Sequence, residues 1–220
     1  MLLITPPRVI TTSKDWSQDT KGYTITFNSQ FFLKNNFSPR GLENKKILTA
    51  AVKPYLIVNN QQAKELTALF ETIIHEYEST HPYKDEMIAL KTIELLILSE
   101  RLFADDQHFE ADLPSLNVIR KFMGLMEANF FNQHSVAFYA SKLNMHPNYL
   151  NSLVKKHTGI TAKESIQNRI ILETKYLLHA TNLSIKEIAN RLGFADPNYF
   201  TVFFKRAEKL SPLNYRGTFI

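Results

Sequence analysis

The sequence predicts a mainly α protein. An all-α C-terminal domain of two tandem helix-turn-helix units, joined by a long connector helix, follows a smaller α+β part that carries two paired helices. Three observations lead there. First, Pro147-Asn148-Tyr149 recurs 50 residues on as Pro197-Asn198-Tyr199, inside two copies of one pattern. In register, Ala140, Leu143, Asn144, Leu150, Leu153 and Val154 match Ala189, Leu192, Gly193, Phe200, Phe203 and Phe204. Upstream of Pro-Asn-Tyr the offset falls to 49, so the second turn carries one extra residue, which a loop tolerates and a helix does not. Second, apolar residues recur at three- and four-residue spacing with capping signals at the segment starts. Third, the charge is divided. From Ser115 onward there are 14 Lys/Arg against 6 Asp/Glu, net +8, and before it 12 against 15, net −3, within a total of +5. A positive domain attached to an acidic one suits a nucleic-acid reader joined to a regulatory module, because phosphate neutralisation supplies much of such binding. A merely solvated basic surface is the alternative.

Composition narrows the classes further. An apolar share of 44% supports real cores and argues against disorder. Without cysteine there is no disulfide, thiolate metal site or cysteine nucleophile, which fits a reducing compartment. Met1-Leu2-Leu3-Ile4 is too short for a signal sequence, and its first basic residue, Arg8, follows the apolar run. The longest apolar stretch, Met87 to Leu98, is interrupted by Lys91 and Glu94 and is too short to span a bilayer. A cytoplasmic protein with no membrane partner is expected. The seven histidines show no metal-binding spacing, and neither a phosphate loop nor a nucleophile elbow is present, so neither an enzyme nor a cofactor is expected.

Along the chain, Leu2 to Phe27 reads as extended segments. Pro6-Pro7 bars helix, Lys21-Gly22 marks a turn, and Tyr23-Thr24-Ile25-Thr26-Phe27 is β-branched and aromatic. Two or three strands are too few to bury a sheet face alone, so they must pack against helices or a partner. Asn60 to Ser79 carries Leu66, Leu69, Phe70, Ile73, Ile74 and Tyr77 as one helical stripe. Pro82 is expected to open a second helix through Leu90, Ile93 and Ile97 to about Leu102. Its apolar face is wider than one neighbour covers, so it packs in the core of its own chain or also meets a second protomer. Residues 105–114, acidic and poor in apolar side chains, separate domain 1–104 from domain 115–220 as a linker.

Seven helical segments follow. The first, Ser115 to about Phe131, carries Leu116, Ile119, Phe122, Met123 and Met126 on one face. The first helix-turn-helix unit (135–157) comprises Ser135 to Leu143 and Pro147 to His157. The connector runs from Thr161 to about His179, opened by Thr161-Ala162-Lys163-Glu164, a capping box in which Thr and Glu satisfy each other's orphan amides. Ser184-Ile185-Lys186-Glu187 repeats that device at the second unit (184–207). Asp196-Pro197 and Ser211-Pro212 each set a capping side chain before a proline at the first helical position.

Each turn must reverse the chain while two helices stay in contact. Gly193 supplies a left-handed conformation without steric cost, and Asn144, the most permissive residue with a side chain, stands in its place in the first copy. In each second helix Leu150, Leu153 and Val154, or Phe200, Phe203 and Phe204, must point inward. The opposite face then offers Asn148, Asn151 and Ser152 in one copy and Asn198, Thr201 and Val202 in the other as base-contacting candidates. Asn pairs bidentately with adenine, and Ser or Thr with several bases. Val202 either touches a thymine methyl or is buried against the connector. Lys155, Lys156, Lys205 and Arg206 at the helix ends, with Lys142, Lys186 and Arg191 on the supporting helices, suit phosphates better than bases.

The stretch from Val136 to Arg216 resembles the DNA-binding domain of AraC/XylS-type transcriptional regulators. The resemblance rests on Ile185-Lys186-Glu187-Ile188-Ala189-Asn190-Arg191-Leu192-Gly193-Phe194, then Asp196-Pro197-Asn198-Tyr199-Phe200, Phe203-Phe204-Lys205 and Leu210-Ser211-Pro212 with Tyr215-Arg216. Arg169 to Glu173 with Leu177-Leu178 resembles the family's connector. This implies double-stranded DNA as partner, two recognition helices entering successive major grooves on one face, and contact with RNA polymerase, usually to activate. Two departures stand out. Thr174 replaces a small alanine in the connector, and Lys209 replaces the glycine that usually ends the second recognition helix, predicting a different helix end there. The N-terminal part resembles the closing strands and paired helices of a cupin-like effector domain, with Leu3-Ile4-Thr5-Pro6-Pro7 similar to a late barrel strand. That implies a small-molecule effector where the barrel is complete, and a homodimer through Leu66, Leu69, Ile73 and Tyr77 or Leu90, Ile93 and Ile97. The rival reading is a dimerisation or ligand-sensing protein whose helix-turn-helix units serve protein contacts.

Overall fold

Helical periodicity in the sequence becomes helix along most of the described chain. The computed structural model describes residues 2–3, 21–35, 37, 55–105 and 114–218. In the N-terminal part β1 (Leu2–Leu3) pairs antiparallel with β2 (Tyr55–Leu56), Leu2 opposite Leu56 and Leu3 opposite Tyr55. Between them lies α1 (Ser29–Lys34), whose N-cap Asn28 accepts from the Phe31 amide at 3.0 Å. Two longer helices, α2 (Asn60–Glu78) and α3 (Lys84–Asp105), pack against each other. Asn59 and Gln62 close a capping box at the start of α2, satisfying two orphan donors. Leu2, Phe32, Leu56, Leu66, Ile73 and Leu96 meet in one core.

Three expectations change here. Tyr23 to Phe27 is not a strand. Its alternate side chains lie on helix instead: Tyr23 stacks on Phe70 at 5.6 Å and donates to Glu71 at 3.0 Å, while Ile25 and Phe27 pack on the helical core. Pairing on a helix face gives this β-prone segment its burial without a ladder. Pro82 does not open α3, which begins two residues later. Tyr83 takes a left-handed φ of 62° in the turn, and Lys84 Nζ bonds back to the Ser79 carbonyl at 3.2 Å. Among the described residues the strands amount to the one short ladder, so a barrel remnant is not seen there. Ile4 to Pro7 and nearly all of the expected linker fall outside the described residues.

The C-terminal part holds α4 (Pro114–Asn129), α5 (Val136–Lys142), α6 (Pro147–Thr158), α7 (Ala162–Ala180), α8 (Ile185–Arg191), α9 (Pro197–Glu208) and α10 (Pro212–Gly217). Both units share one core. Phe122, Phe130, Tyr139, Leu150 and Val154 from the first side meet Ile188, Leu192, Phe200 and Phe204 from the second around Ile166 and Ile170 of the connector α7. Most of α7 is buried, so its sequence shows little one-sided periodicity. Thr174, in place of a small residue, is accommodated because its hydroxyl donates to the Ile170 carbonyl one turn back at 2.8 Å.

A buried charge cluster ties α4 to the connector. Arg169 Nε donates to both Glu127 oxygens at 2.8 and 3.0 Å, its Nη1 reaches Glu173 at 3.2 Å, and its guanidinium lies 4.0 Å from the Phe130 ring centre. Removing one member of such a cluster typically costs about 3–5 kcal/mol, because the remaining charges stay buried.

Candidate nucleic-acid interface

Each unit turns on a residue in the left-handed region, Asn144 at φ 53° and Gly193 at φ 74°. Glycine is required twice over at the second turn. A Cβ on Gly193 would sit 2.2 Å from the Phe131 carbonyl oxygen, in the α4–α5 connection. That connection lies against the second unit, with the His134 ring 4.7 Å from Phe194. Burial pushes His134 below its ordinary value of 6.5, and the backbone groups of Leu192, Phe131 and Phe130 offset part of the shift.

The second helices of the two units, α6 and α9, start and end alike. His146 Nδ1 accepts from the Asn148 amide at 3.3 Å and Asp196 Oδ1 from the Asn198 amide at 2.8 Å, each before a proline in the first turn. At the other end Gly159 has φ 78° and ψ −12°, and Lys209 has φ 66° and ψ −3°. Lys209 therefore does not impose a different helix end. It adopts the glycine geometry at some strain, and its Nζ bonds the Arg206 carbonyl at 3.2 Å.

Leu150, Leu153 and Val154 are buried on α6, and Phe200 and Phe204 on α9, with Phe203 half-buried. The opposite faces match. Asn148, Tyr149, Ser152, Lys155 and Lys156 are exposed on α6, and Asn198, Tyr199, Val202, Lys205 and Arg206 on α9. Val202 is 64% exposed, which excludes burial against the connector. Asn151 and Thr201 lie at the margin of these faces, half-buried. Asn151 Oδ1 accepts from the Lys163 amide at the connector's start at 3.1 Å, and the Thr201 hydroxyl donates to the Pro197 carbonyl at 3.0 Å.

Sequence reasoning passed over Tyr149 and Tyr199, which are 58% and 64% exposed in the first turn of these helices. Their spacing was the signal: each stands three residues before Ser152 or Val202 and seven before Lys156 or Arg206. Lys142, Lys186 and Arg191 on the supporting helices are also exposed. Among the described residues none of the seven candidate phosphate cations forms an ion pair. Glu187, next to Lys186, is held below the usual carboxylate range by its bonds from Ser184 in the second capping box.

The dimerisation candidates divide. Leu66 and Ile73 are buried in the core of their own chain, Leu69 and Ile93 are partly buried against it, and Tyr77, Leu90 and Ile97 remain exposed. Lys84 Nζ lies 5.1 Å above the Tyr77 ring. A helix too wide in its apolar face for one neighbour thus covers part of that face and leaves a ridge open.

Two helix-turn-helix units on one connector, with matched polar faces and a shared core, define a tandem helix-turn-helix domain. Residues 139–218 match the family model described as a helix-turn-helix domain, so this part of the chain carries a domain of the AraC helix-turn-helix type. It is 31% identical over 139 residues to the uncharacterized transcriptional regulatory protein YesN of Bacillus subtilis, covering 61% of this chain and 38% of that protein. It is 26% identical over 161 residues to the HTH-type transcriptional activator RhaS of Enterobacter sp., covering 72% of this chain and 56% of that protein. The chain thus spans between about a third and just over half the length of these relatives, which are named as regulators of transcription and not as enzymes. A solved structure, the C-terminal domain of the two-component response regulator yesN from Fusobacterium nucleatum, is 30% identical. It covers 46% of this chain and 98% of its own, with a TM-score of 0.44. No described helix is long and apolar enough to cross a membrane.

Proposed function

We propose that this chain is a sequence-specific DNA-binding regulator of transcription that inserts α6 and α9 into successive major grooves. The observation that carries the reading is the pair of matched exposed faces, each framed by cations that have no acidic partner among the described residues. Asn148, Ser152 and Asn198 offer hydrogen bonds to base edges, and Val202 an apolar contact for a thymine methyl. Tyr149 and Tyr199 add a ring and a hydroxyl on the same faces, within reach of base or phosphate. The seven lysines and arginines neutralise phosphates and set the register. Asn151 and Thr201 support the faces more than they read, since their polar atoms already bond to protein.

By the same reading the bound chain activates transcription through contact with RNA polymerase, in line with RhaS being named an activator. The exposed apolar side chains Tyr77 on α2 and Leu90 and Ile97 on α3 serve a homodimer. The test is a titration of duplexes enriched from a random pool by the full chain. Affinity that falls steeply with salt, and exceeds that for scrambled DNA, is the expected result. Indifference to both salt and sequence overturns the reading in favour of protein contacts.

A further inference from the structure

Glu208 is out of place on a DNA-reading helix. It ends α9 beside Lys205, Arg206 and Lys209, where a carboxylate opposes both the helix dipole and the approach of phosphate. The matching residue of the first unit is the neutral Thr158, whose hydroxyl serves its own helix and the next loop at the Val154 and Ile160 carbonyls. Glu208 instead reaches Lys175 in the C-terminal half of the connector, 2.7 Å away, with the two side chains only 13% and 20% exposed. Lys175 Nζ also sits 5.7 Å from the centre of the Tyr215 ring, which meets Phe204 of α9 edge-on at 5.4 Å. Burial, and then Glu208, push the Tyr215 hydroxyl up to about 12. Neighbouring Arg216 fastens α10 to the connector side by donating to the Leu178 and Leu183 carbonyls at 3.2 and 2.6 Å.

The first recognition helix is held differently, by Asn151 at the amide of Lys163. Lys163 and Lys175 are 12 residues apart on one helix, about 18 Å along its axis. Each reading helix is therefore fastened to its own half of a single rigid rod. The first is fastened by a neutral hydrogen bond and the second by a shielded ion pair that has no counterpart in the first unit. Resting on the DNA-reading function proposed above, we propose that Lys175 and Glu208 are positioning residues. Their ion pair latches the last turn of α9 to the connector and fixes the angle between the two recognition helices that simultaneous reading of two grooves requires.

The test uses the full chain and a duplex enriched by the wild-type protein, together with versions in which either half of the bound site is scrambled. Lys175→Glu and Lys175→Met are expected to lower affinity for the intact duplex about 10-fold or more, since two linked contacts gain avidity only when geometry permits both. Affinity for each half-scrambled duplex stays within about twofold of wild type, the scatter expected when no contact is lost. The charge-swapped Lys175→Glu/Glu208→Lys chain recovers most of the intact-site affinity at the wild-type net charge. Wild-type affinity for the intact duplex in both single variants overturns the latch. So does an equal loss on all duplexes accompanied by a lower melting temperature, which marks a merely structural pair. Both results leave the DNA-reading function standing. A wild-type chain that enriches no duplex removes that function and the latch with it.

Discussion

The two helix-turn-helix units share a backbone plan and differ in what surrounds it. Both turn at a left-handed residue, start the second helix behind a capping side chain and a proline, and end it in the left-handed region. The first does so with space to spare: its turn tolerates Asn144, and nothing lies within 4 Å of a Cβ placed on Gly159. The second is wedged, with Gly193 against the Phe131 carbonyl and Glu208 tied to the connector. Its exposed face is also less polar, with Val202 where the first has Ser152. Equal folds thus carry unequal tolerances, and the exposed face of α6 carries more hydrogen-bonding side chains than that of α9.

The largest expected effect separates the turns. Gly193→Ala places a methyl group against backbone that has little room to move and strains a left-handed residue, at a cost of about 4 kcal/mol in urea unfolding. Asn144→Gly at the matching position changes stability by less than about 1 kcal/mol. Equal effects at both sites would show that the second turn is no tighter than the first.

Next come the reading faces. Asn148→Ala is expected to cost about 1–3 kcal/mol on the preferred site and little on random DNA, measured by competition titration. Val202→Ala costs less, in keeping with a single apolar contact. Lys156→Ala weakens binding to both kinds of DNA alike and lowers the salt slope by about one. A larger specific loss from Val202→Ala than from Asn148→Ala reverses the assigned division between the units.

Smaller again is the helix end. Lys209→Gly relieves a left-handed lysine and is expected to stabilise the domain by about 1 kcal/mol in thermal melts, whereas Gly159→Lys destabilises by a similar amount. The gentlest effect follows pH. His134 is neutral more readily in the folded chain, so its contribution is complete above its ordinary value of 6.5 and declines as pH falls from there through the lower folded value. Melting temperature should drop between pH 7 and 5, and His134→Gln should flatten that drop. A melting curve unchanged by His134→Gln across this range places the acid sensitivity elsewhere.

Much of this arrangement could be read from local signals. Capping boxes at Thr161 and Ser184, prolines at the first helical turns and the turn residues Asn144 and Gly193 act within a few residues of themselves, so the chain alone specifies the helices. The inward rows of α6 and α9 follow from periodicity for the same reason. What escaped depends on distant contacts. Lys209 keeps the glycine conformation although lysine disfavours it, because the surrounding helices fix where the chain must go. Asn151 has the chemistry of a base reader, and nothing in its neighbourhood reveals that its side chain also meets the connector amide 12 residues on. Tyr23 to Phe27 has strand composition, yet its burial comes from α2 and not from a ladder. Tyr149 and Tyr199 were in view, but as parts of a repeat they passed for framework when their exposure marks them as surface.

The central claim, two recognition helices in successive grooves, is tested most directly by footprinting the full chain on an enriched duplex with a probe of major-groove contact. Two protected segments, centred roughly 10.5 base pairs apart on one face, are the predicted result, with Asn148→Ala weakening mainly the first and Val202→Ala, to a smaller extent, mainly the second. A single protected segment that both substitutions weaken together would contradict it.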